Sequence, residues 1–209
     1  MMDRHPVMDS RRPGARTPRP RARLMIAAAL AEAEAEGGVS ATGAWVTPGE
    51  REILFVPVDP QSAGYDGSPR DRLRELQART LNRAVSAALA GRPDAGLVIG
   101  GELNLVGSVR TLDEIGRGLG VGGRDLAIAR PECLRDHSLA TWRRITGDDP
   151  FSPGRLDYIL YRDAALEAGG AFVFDAAATA ADALEELGIR GSDTGHSGHL
   201  PLVVDFWAG

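Results

Sequence analysis

The sequence contains no lysine and only one cysteine among its 209 residues. Because all 24 basic residues are arginines, Schiff-base chemistry on a lysine is excluded. A Walker-type nucleotide site is excluded for the same reason, since its lysine contacts the phosphates. The single cysteine, Cys133, cannot form an internal disulfide or a cysteine-based zinc cluster. We expect Cys133 to be a small buried apolar side chain.

Long apolar runs are also missing. No stretch approaches the ~20 apolar residues that cross a bilayer, so we expect no membrane span. The apolar content of 43% and the charged content of 25% are typical of globular domains. The length suits one domain with a hydrophobic core.

Charge is distributed unevenly along the chain. Residues 1–23 carry seven arginines against Asp3 and Asp9, whereas the remainder carries 17 arginines against 27 acidic residues. An acidic domain does not attract nucleic acid through its long-range field. A compact group of carboxylates that holds a divalent cation fits this composition better.

The first 44 residues are predicted to precede the folded domain. Residues 1–23 are rich in arginine and proline, which predicts disorder, and LMIAAALAEAEAE (24–36) predicts a helix. A basic stretch followed by a short apolar run is also the pattern of a signal peptide. Glutamates close that run early, which favours a leader, or a start codon placed inside a longer gene, and a cytoplasmic over an exported protein. The folded domain is then 45–209.

From residue 45 onward the pattern alternates strands and helices, which predicts a mixed α/β fold. Helices are expected over 70–91, near TLDEIGRGL (111–119) and over 178–188. Short strands, most of them buried, are expected over 52–58, 95–101, 138–142, 155–162, 171–175 and 201–207.

Three segments carry residues suited to catalysis. In GELNLVG (101–107), Glu102 and Asn104 are two apart at the end of a strand, where they can bind a metal ion or position water. In FSPGRLDYILYR (151–162), Asp157 interrupts a buried strand and needs a partner, either a histidine or Arg155. In SDTGHSGHLPLVVDF (192–206), His199 precedes a buried strand and can act as acid, base or phosphate donor.

Each segment also has a simpler interpretation. The Glu102–Asn104 pair is compatible with a polar turn, Asp157 with a structural ion pair, and the histidines with a solvated loop. His196 and His199 are three apart, but no helix aligns them as a metal pair.

Taken together, the segments GELN (101–104), RLDYIL (155–160) and SGHLP (197–201) resemble the motifs of the endonuclease/exonuclease/phosphatase superfamily. VPVDPQSAGYDGS (56–68), the TW pair at 141–142 and FSPGRLDY are similar to it as well. The resemblance covers about residues 45–209 and corresponds to the C-terminal part of such enzymes. It implies a partial four-layer α-β-β-α sandwich whose first half is missing.

The resemblance also implies a chemistry, the Mg²⁺- or Mn²⁺-dependent hydrolysis of a phosphate ester. Glu102 would bind the metal and orient the attacking water, and Asn104 would contact the phosphoryl group. His199 would stabilise the transition state, with Asp157 orienting its ring. The substrate could be nucleic acid, a phospholipid head group, a sugar phosphate or an inositol phosphate, since the fold does not choose among them.

The chain departs from the family pattern at several positions. Glu102 replaces an aspartate, and Gly198 replaces the aspartate before the terminal histidine. Asp59 stands where many relatives have a histidine, although Pro60 also makes it an ordinary turn residue. No segment resembles the family's asparagine-bearing strand or its metal-binding glutamate.

Three hypotheses about function remain open at this point. The chain is a divergent phosphoesterase, or an inactive remnant that keeps the fold as a binding module, or an unrelated α/β interaction domain. If half of a sandwich is absent, open sheet edges should also favour self-association.

Overall fold

A computed structural model describes residues 39–143 and 152–208 of the chain. The predictions for residues 1–38 lie outside the described residues. Within these ranges nine strands form two sheets, with three α-helices and short 3₁₀ turns between them. The strands are β1 (Ser40–Ala41), β2 (Ala44–Val46), β3 (Ile53–Asp59), β4 (Gly96–Glu102), β5 (Ala127–Ile128), β6 (Glu132–Cys133), β7 (Asp157–Tyr161), β8 (Leu166–Val173) and β9 (Leu202–Ala208).

The larger sheet is built around three central strands. β3 and β4 run parallel, and β7 pairs antiparallel with β4, so the strand order is β3-β4-β7. β5 pairs with the far edge of β7, and β1 and β2 both pair with the outer edge of β3. The sheet therefore takes in Ser40–Ala41 and Ala44, ahead of the expected domain start at residue 45.

Helix α1 (Pro69–Leu89) covers one face of this sheet. Ser68 caps the helix by accepting a hydrogen bond from the Asp71 backbone N–H, and Pro69 suits the first turn. The apolar side of α1 packs against alternate residues of β3, β4 and β7, together with Ile115 of α2 (Arg110–Gly116). The fully buried side chains of this core include Leu54, Val56, Leu81, Val85, Leu97, Ile99 and Leu160.

The smaller sheet, in the order β6-β8-β9, lies against the opposite face of the larger one. Leu166 of β8 packs on Ile53 and Val98, and the Phe206 ring of β9 lies 5.0 Å from the Tyr161 ring. Two packed sheets with helices outside give the partial sandwich that was expected. The third helix, α3 (Ala181–Leu187), ends at Gly188 in the left-handed conformation.

The sandwich is open on one side. Within the described residues no strand pairs with the outer edge of β9, and a cleft of about 560 Å³ lies between β9 and the larger sheet. Phe55 lines this cleft and is 46% exposed. Val46 of β2 lies on the same face, because its register partner Ile53 does. The open edge and exposed face match the expectation for an incomplete sandwich.

Most of the predicted elements are confirmed within a few residues. The strand expected over 138–142 is wrong, because only Trp142 pairs there, in single bridges to Gly154 and His199. The strand expected over 171–175 begins earlier, at Leu166, and ends at Val173. Cys133 is buried, as predicted. Among the described helices, none is long and apolar enough to cross a membrane.

The exposed apolar face predicts concentration-dependent self-association. Phe55→Ser should weaken that association at least about tenfold, because burying a phenylalanine side chain contributes ~1.5–3 kcal/mol. Light scattering coupled to size-exclusion chromatography measures the change. Leu187→Ser is the matched control, because Leu187 is an exposed apolar residue of α3. A monomer at every concentration, or equal effects of the two substitutions, contradicts the prediction.

Candidate active site

Three carboxylates lie side by side at one end of the larger sheet. Asp59 ends β3, Glu102 ends β4 and Asp157 begins the antiparallel β7. Glu102 and Asp157 are direct register partners, and the parallel pairing of Val58 with Gly101 places Asp59 next to Glu102. Adjacent strands lie roughly 4.8 Å apart, so the row concentrates negative charge.

Gly101 allows β3 and β4 to approach each other beside this row. Its φ is +148°, and a Cβ atom built there would lie 2.1 Å from the Val58 carbonyl oxygen. No side chain fits that space, so glycine is required where the two strands deliver Asp59 and Glu102.

These surroundings change the pKa of the Glu102 carboxyl. Burial raises the pKa of its carboxyl, and the neighbouring Asp157 and Asp59 carboxylates raise it further, while His199 opposes the shift. A cation placed near Glu102 would relieve this unfavourable environment.

His199 connects two members of the row. Its Nδ1 lies 2.9 Å from Asp157 Oδ2, and its Nε2 lies 3.5 Å from Glu102 Oε2. Because an ionised carboxylate only accepts hydrogen bonds, Nδ1 carries the hydrogen that is donated to Asp157. Asp157 therefore fixes the ring so that Nε2 points toward Glu102. Arg155, the alternative partner of Asp157, instead donates to the Ala129 carbonyl and stacks on Tyr158.

Thr141 holds Asp157 in place. Its buried hydroxyl donates to Asp157 Oδ2 at 2.6 Å and accepts the backbone N–H groups of Leu156 and Asp157. Its carbonyl oxygen accepts the N–H of Leu200, next to His199. The sequence marked Thr141 only as part of a family-like TW pair, and gave no indication that its hydroxyl and carbonyl together link the segments of Asp157 and His199.

Asn104 lies on the other side of the row. It is buried, adopts a positive φ of 51°, and its Nδ2 donates to the Pro60 carbonyl at 3.0 Å and to Asp59 Oδ1 at 3.4 Å. The structure thus brings Glu102, Asp157 and His199 into one contact group and joins Asn104 to it through Asp59. Asp59, which sequence reasoning treated as secondary, is part of the site.

A buried ion pair supports the loop that follows Asp59. Arg74 and Asp71 are both fully buried, 3.1 Å apart, and Arg74 also donates to the carbonyls of Gln61 and Ala63. Asp71 accepts the Gly67 N–H, which lowers the pKa of its carboxyl. The loop is therefore fixed from within, and the Pro60 carbonyl stays available to Asn104.

Gly198 is closely packed and cannot be replaced without rearrangement. A Cβ atom at this position would lie 2.7 Å from Trp142 Nε1 and 3.2 Å from the Arg143 carbonyl oxygen. The Trp142 indole therefore adjoins the place where the superfamily pattern has an aspartate. His196, the other histidine of this segment, is exposed in the 3₁₀ turn Asp193–His196.

The solved structures define the class to which this fold belongs. An endonuclease/exonuclease/phosphatase family protein from Bacteroides thetaiotaomicron superposes with a TM-score of 0.51 at 14% identity, covering 79% of this chain and 55% of that one. A mannosyl-6-phosphatase from the same organism superposes with a TM-score of 0.51 at 13% identity, covering 80% of this chain and 56% of that one. This chain has the fold of the endonuclease/exonuclease/phosphatase superfamily, and spans a little over half the length of these two structures.

The similarity is detected by comparing structures and is not detected by comparing the amino-acid sequence with known families and proteins. No family model and no curated protein matches this sequence.

Thr141→Val should destabilise the fold and weaken the hydrogen bond between His199 and Asp157. The valine keeps the shape but leaves buried partners unsatisfied, which costs about 1–3 kcal/mol. Chemical denaturation measures the loss, and the His199 Nδ1–H signal in NMR spectra should broaden or disappear. Thr80→Val is the control, because Thr80 is also buried but its hydroxyl only joins groups of α1. An unchanged His199 signal would show that Thr141 does not position Asp157.

Glu102→Gln should stabilise the protein at neutral pH. The raised pKa means that ionised Glu102 is disfavoured in the folded state, so stability falls as pH rises through the interval from its ordinary to its raised value. Above that interval, glutamine removes the penalty and should raise Tm by on the order of 1–2 °C. Below it, the difference should vanish.

Thermal unfolding followed across this pH range tests that expectation. Glu186→Gln, an exposed position on α3, is the control, because it makes the same substitution away from the row of carboxylates. A loss of stability in Glu102→Gln at neutral pH contradicts the assignment of Glu102 as a strained carboxylate.

Proposed function

We propose that this chain hydrolyses a phosphate ester with the help of a divalent cation, Mg²⁺ or Mn²⁺. The observation that carries the proposal is His199, held by Asp157 at 2.9 Å with its Nε2 directed at Glu102. This group lies at the end of the central strands of a phosphoesterase-type fold. The name of one similar structure, a mannosyl-6-phosphatase, favours a phosphate monoester as the first substrate to test, and nucleic acid remains a second substrate class.

The donor atoms fit a hard divalent cation. Within residues 39–143 and 152–208, no three histidine, cysteine or acidic side chains converge as a metal site. Mg²⁺, however, is commonly bound by one or two carboxylates, with water and substrate phosphate completing its shell. Asp157 already makes hydrogen bonds with His199 and Thr141. Glu102 and Asp59 are therefore the carboxylates that would supply oxygen ligands to the cation. When bound, the cation would neutralise charge on the phosphoryl group and on the leaving oxygen.

The side chains divide the remaining work. During hydrolysis a water oxygen bonds to phosphorus while the bond to the leaving oxygen breaks. Glu102 orients that water and accepts its proton, for which a raised pKa is suited. When both ring nitrogens carry a hydrogen, His199 donates from Nε2 to a phosphoryl oxygen as negative charge builds there, and Asp157 stabilises this imidazolium through Nδ1–H. Asn104 contacts the phosphoryl group from the side of Asp59.

A second candidate function is a binding module that keeps the fold without turnover. It is favoured by Gly198, where a carboxylate of the superfamily pattern is missing and the Trp142 indole fills the space. The chain also spans only 55–56% of the two similar structures. Such a module would bind a phosphorylated ligand at the same site.

His199→Ala should lower turnover by about 100-fold or more, the range expected when a general acid or a charge-stabilising donor is lost. The assay is Mg²⁺-dependent release of nitrophenol from 4-nitrophenyl phosphate and from bis(4-nitrophenyl) phosphate. His196→Ala is the control, because His196 is exposed outside the contact group. Equal rates in the two variants contradict the proposed role of His199, and no turnover in the unmodified protein favours the binding module.

A further inference from the structure

Main-chain hydrogen bonds hold the residues on both sides of His199. The Arg143 N–H donates to the Gly198 carbonyl at 2.8 Å, and the Leu200 N–H donates to the Thr141 carbonyl at 2.7 Å. The position of the imidazole therefore depends on the short segment that runs from Thr141 to Arg143. Whatever holds this segment and the histidine loop together also sets the geometry of the candidate site.

The side chain of Arg143 binds the same loop at a second point. Its Nη1 donates to Asp175 Oδ2 at 2.6 Å, and its Nη2 donates to the Thr194 carbonyl at 3.0 Å. Only residues 195–197 separate Thr194 from Gly198, which accepts the backbone N–H of the same arginine. One residue thus fixes the loop at two closely spaced positions just before the histidine.

Asp175, which follows β8, makes this second point rigid. Its carboxylate is buried, and its Oδ1 accepts the Thr194 hydroxyl and the Ala177 N–H, both at 3.1 Å. The Thr194 hydroxyl in turn accepts the Ala176 N–H at 3.1 Å. A buried carboxylate is costly unless a cation pairs with it, and Arg143 supplies that cation. The planar guanidinium serves the carboxylate and a carbonyl at once, which a single ammonium group does not do in the same geometry.

We propose that Arg143 is a positioning residue, which acts through Asp175 and the loop to keep the His199 imidazole on Asp157. Its guanidinium is engaged by the loop and does not touch the reacting atoms, so its effect reaches the site only through the histidine. This inference rests on the proposed function and specifies what maintains its geometry. A displacement of about 1 Å can lower a rate roughly 100-fold when alignment matters.

A conservative substitution with a matched control separates positioning from general stability. Arg143→Lys keeps the positive charge beside Asp175 but gives up the fork that also binds Thr194. Arg162→Lys is the control, because Arg162 is also buried and follows β7 at the end away from the candidate site. Its guanidinium likewise joins separate segments, by donating to the carbonyls of Leu119, Pro93 and Ala95. Chemical denaturation measures the stability of both variants and confirms that they are folded.

The His199 Nδ1–H signal in NMR spectra is the first measurement, and His199→Ala identifies it. We expect this signal to broaden or disappear in Arg143→Lys and to persist in Arg162→Lys. The second measurement is the Mg²⁺-dependent hydrolysis of 4-nitrophenyl phosphate. Arg143→Lys should lower kcat about tenfold or more with KM changed by less than about twofold, because the lost interaction forms in the transition state. Arg162→Lys should leave both constants unchanged.

A second variant approaches the same junction from its acidic side. Asp175→Asn keeps the shape of the side chain but removes the charge that holds the guanidinium. It should produce the same loss of the His199 signal and a similar fall in kcat. Because the two residues act as one unit, combining Asp175→Asn with Arg143→Lys should lower kcat little further than either substitution alone.

The outcomes separate this inference from the proposed function. A His199 signal that survives both Arg143→Lys and Asp175→Asn overturns the positioning role, and so does an equal loss in Arg162→Lys. In either case the ion pair only stabilises the fold, and hydrolysis at His199 is unaffected. The signal requires no substrate, so its loss in the Arg143 and Asp175 variants alone supports the positioning role even if the unmodified protein shows no turnover. That absence of turnover would overturn only the proposed function.

Discussion

The hydrogen bond between His199 and Asp157 ties the candidate active site to the docking of the two sheets. Asp157 begins a strand of the larger sheet, whereas His199 lies just before the last strand of the smaller one. Thr141 completes the junction, since its hydroxyl serves Asp157 and its carbonyl accepts the N–H beside His199. A loss of packing between the sheets would therefore separate the imidazole from the carboxylate that orients it. The geometry of the site depends on a long-range contact that no single segment of the chain can form.

That dependence explains which features could be read from the sequence. β3, α1 and β4 were predicted within a few residues, because each has a continuous apolar pattern with turn residues at its ends. Asp157 stood out as an acid in a buried strand. The segment around Thr141 was misread as a strand, because its backbone hydrogen bonds go to two distant segments and their partners have no local signature. Asp59 was underrated for the same reason: its significance comes from lying beside Glu102, a neighbour set by the register of β3 and β4.

The site and the fold place opposing demands on stability. Burial and two neighbouring carboxylates disfavour the ionised form of Glu102, and a row of acids across three strands repels itself. Such strain persists only where surrounding contacts determine the structure strongly. Here the larger sheet supplies those contacts, because its helical face has a fully buried core that extends from α1 to β7. Within the described part of the chain the opposite face is less complete, because Phe55 is exposed beside the unpaired outer edge of β9. The helical layer therefore supports the candidate site residues, and the other face is open to association.

The distribution of carboxylates around His199 gives a physical reason why this site differs from the superfamily pattern. Gly198 supplies no carboxylate next to the histidine, and the Trp142 indole leaves no room for one. Asp59 provides a carboxylate on the far side of Glu102, where many members of the superfamily are expected to carry a histidine. The negative charge thus lies on the other side of the row. A histidine at position 59 would attract phosphate directly, whereas an aspartate attracts phosphate only through a cation. The exchange of residues at two distant positions therefore leaves His199 without an acidic residue just before it and gives Glu102 an acidic neighbour on β3 instead.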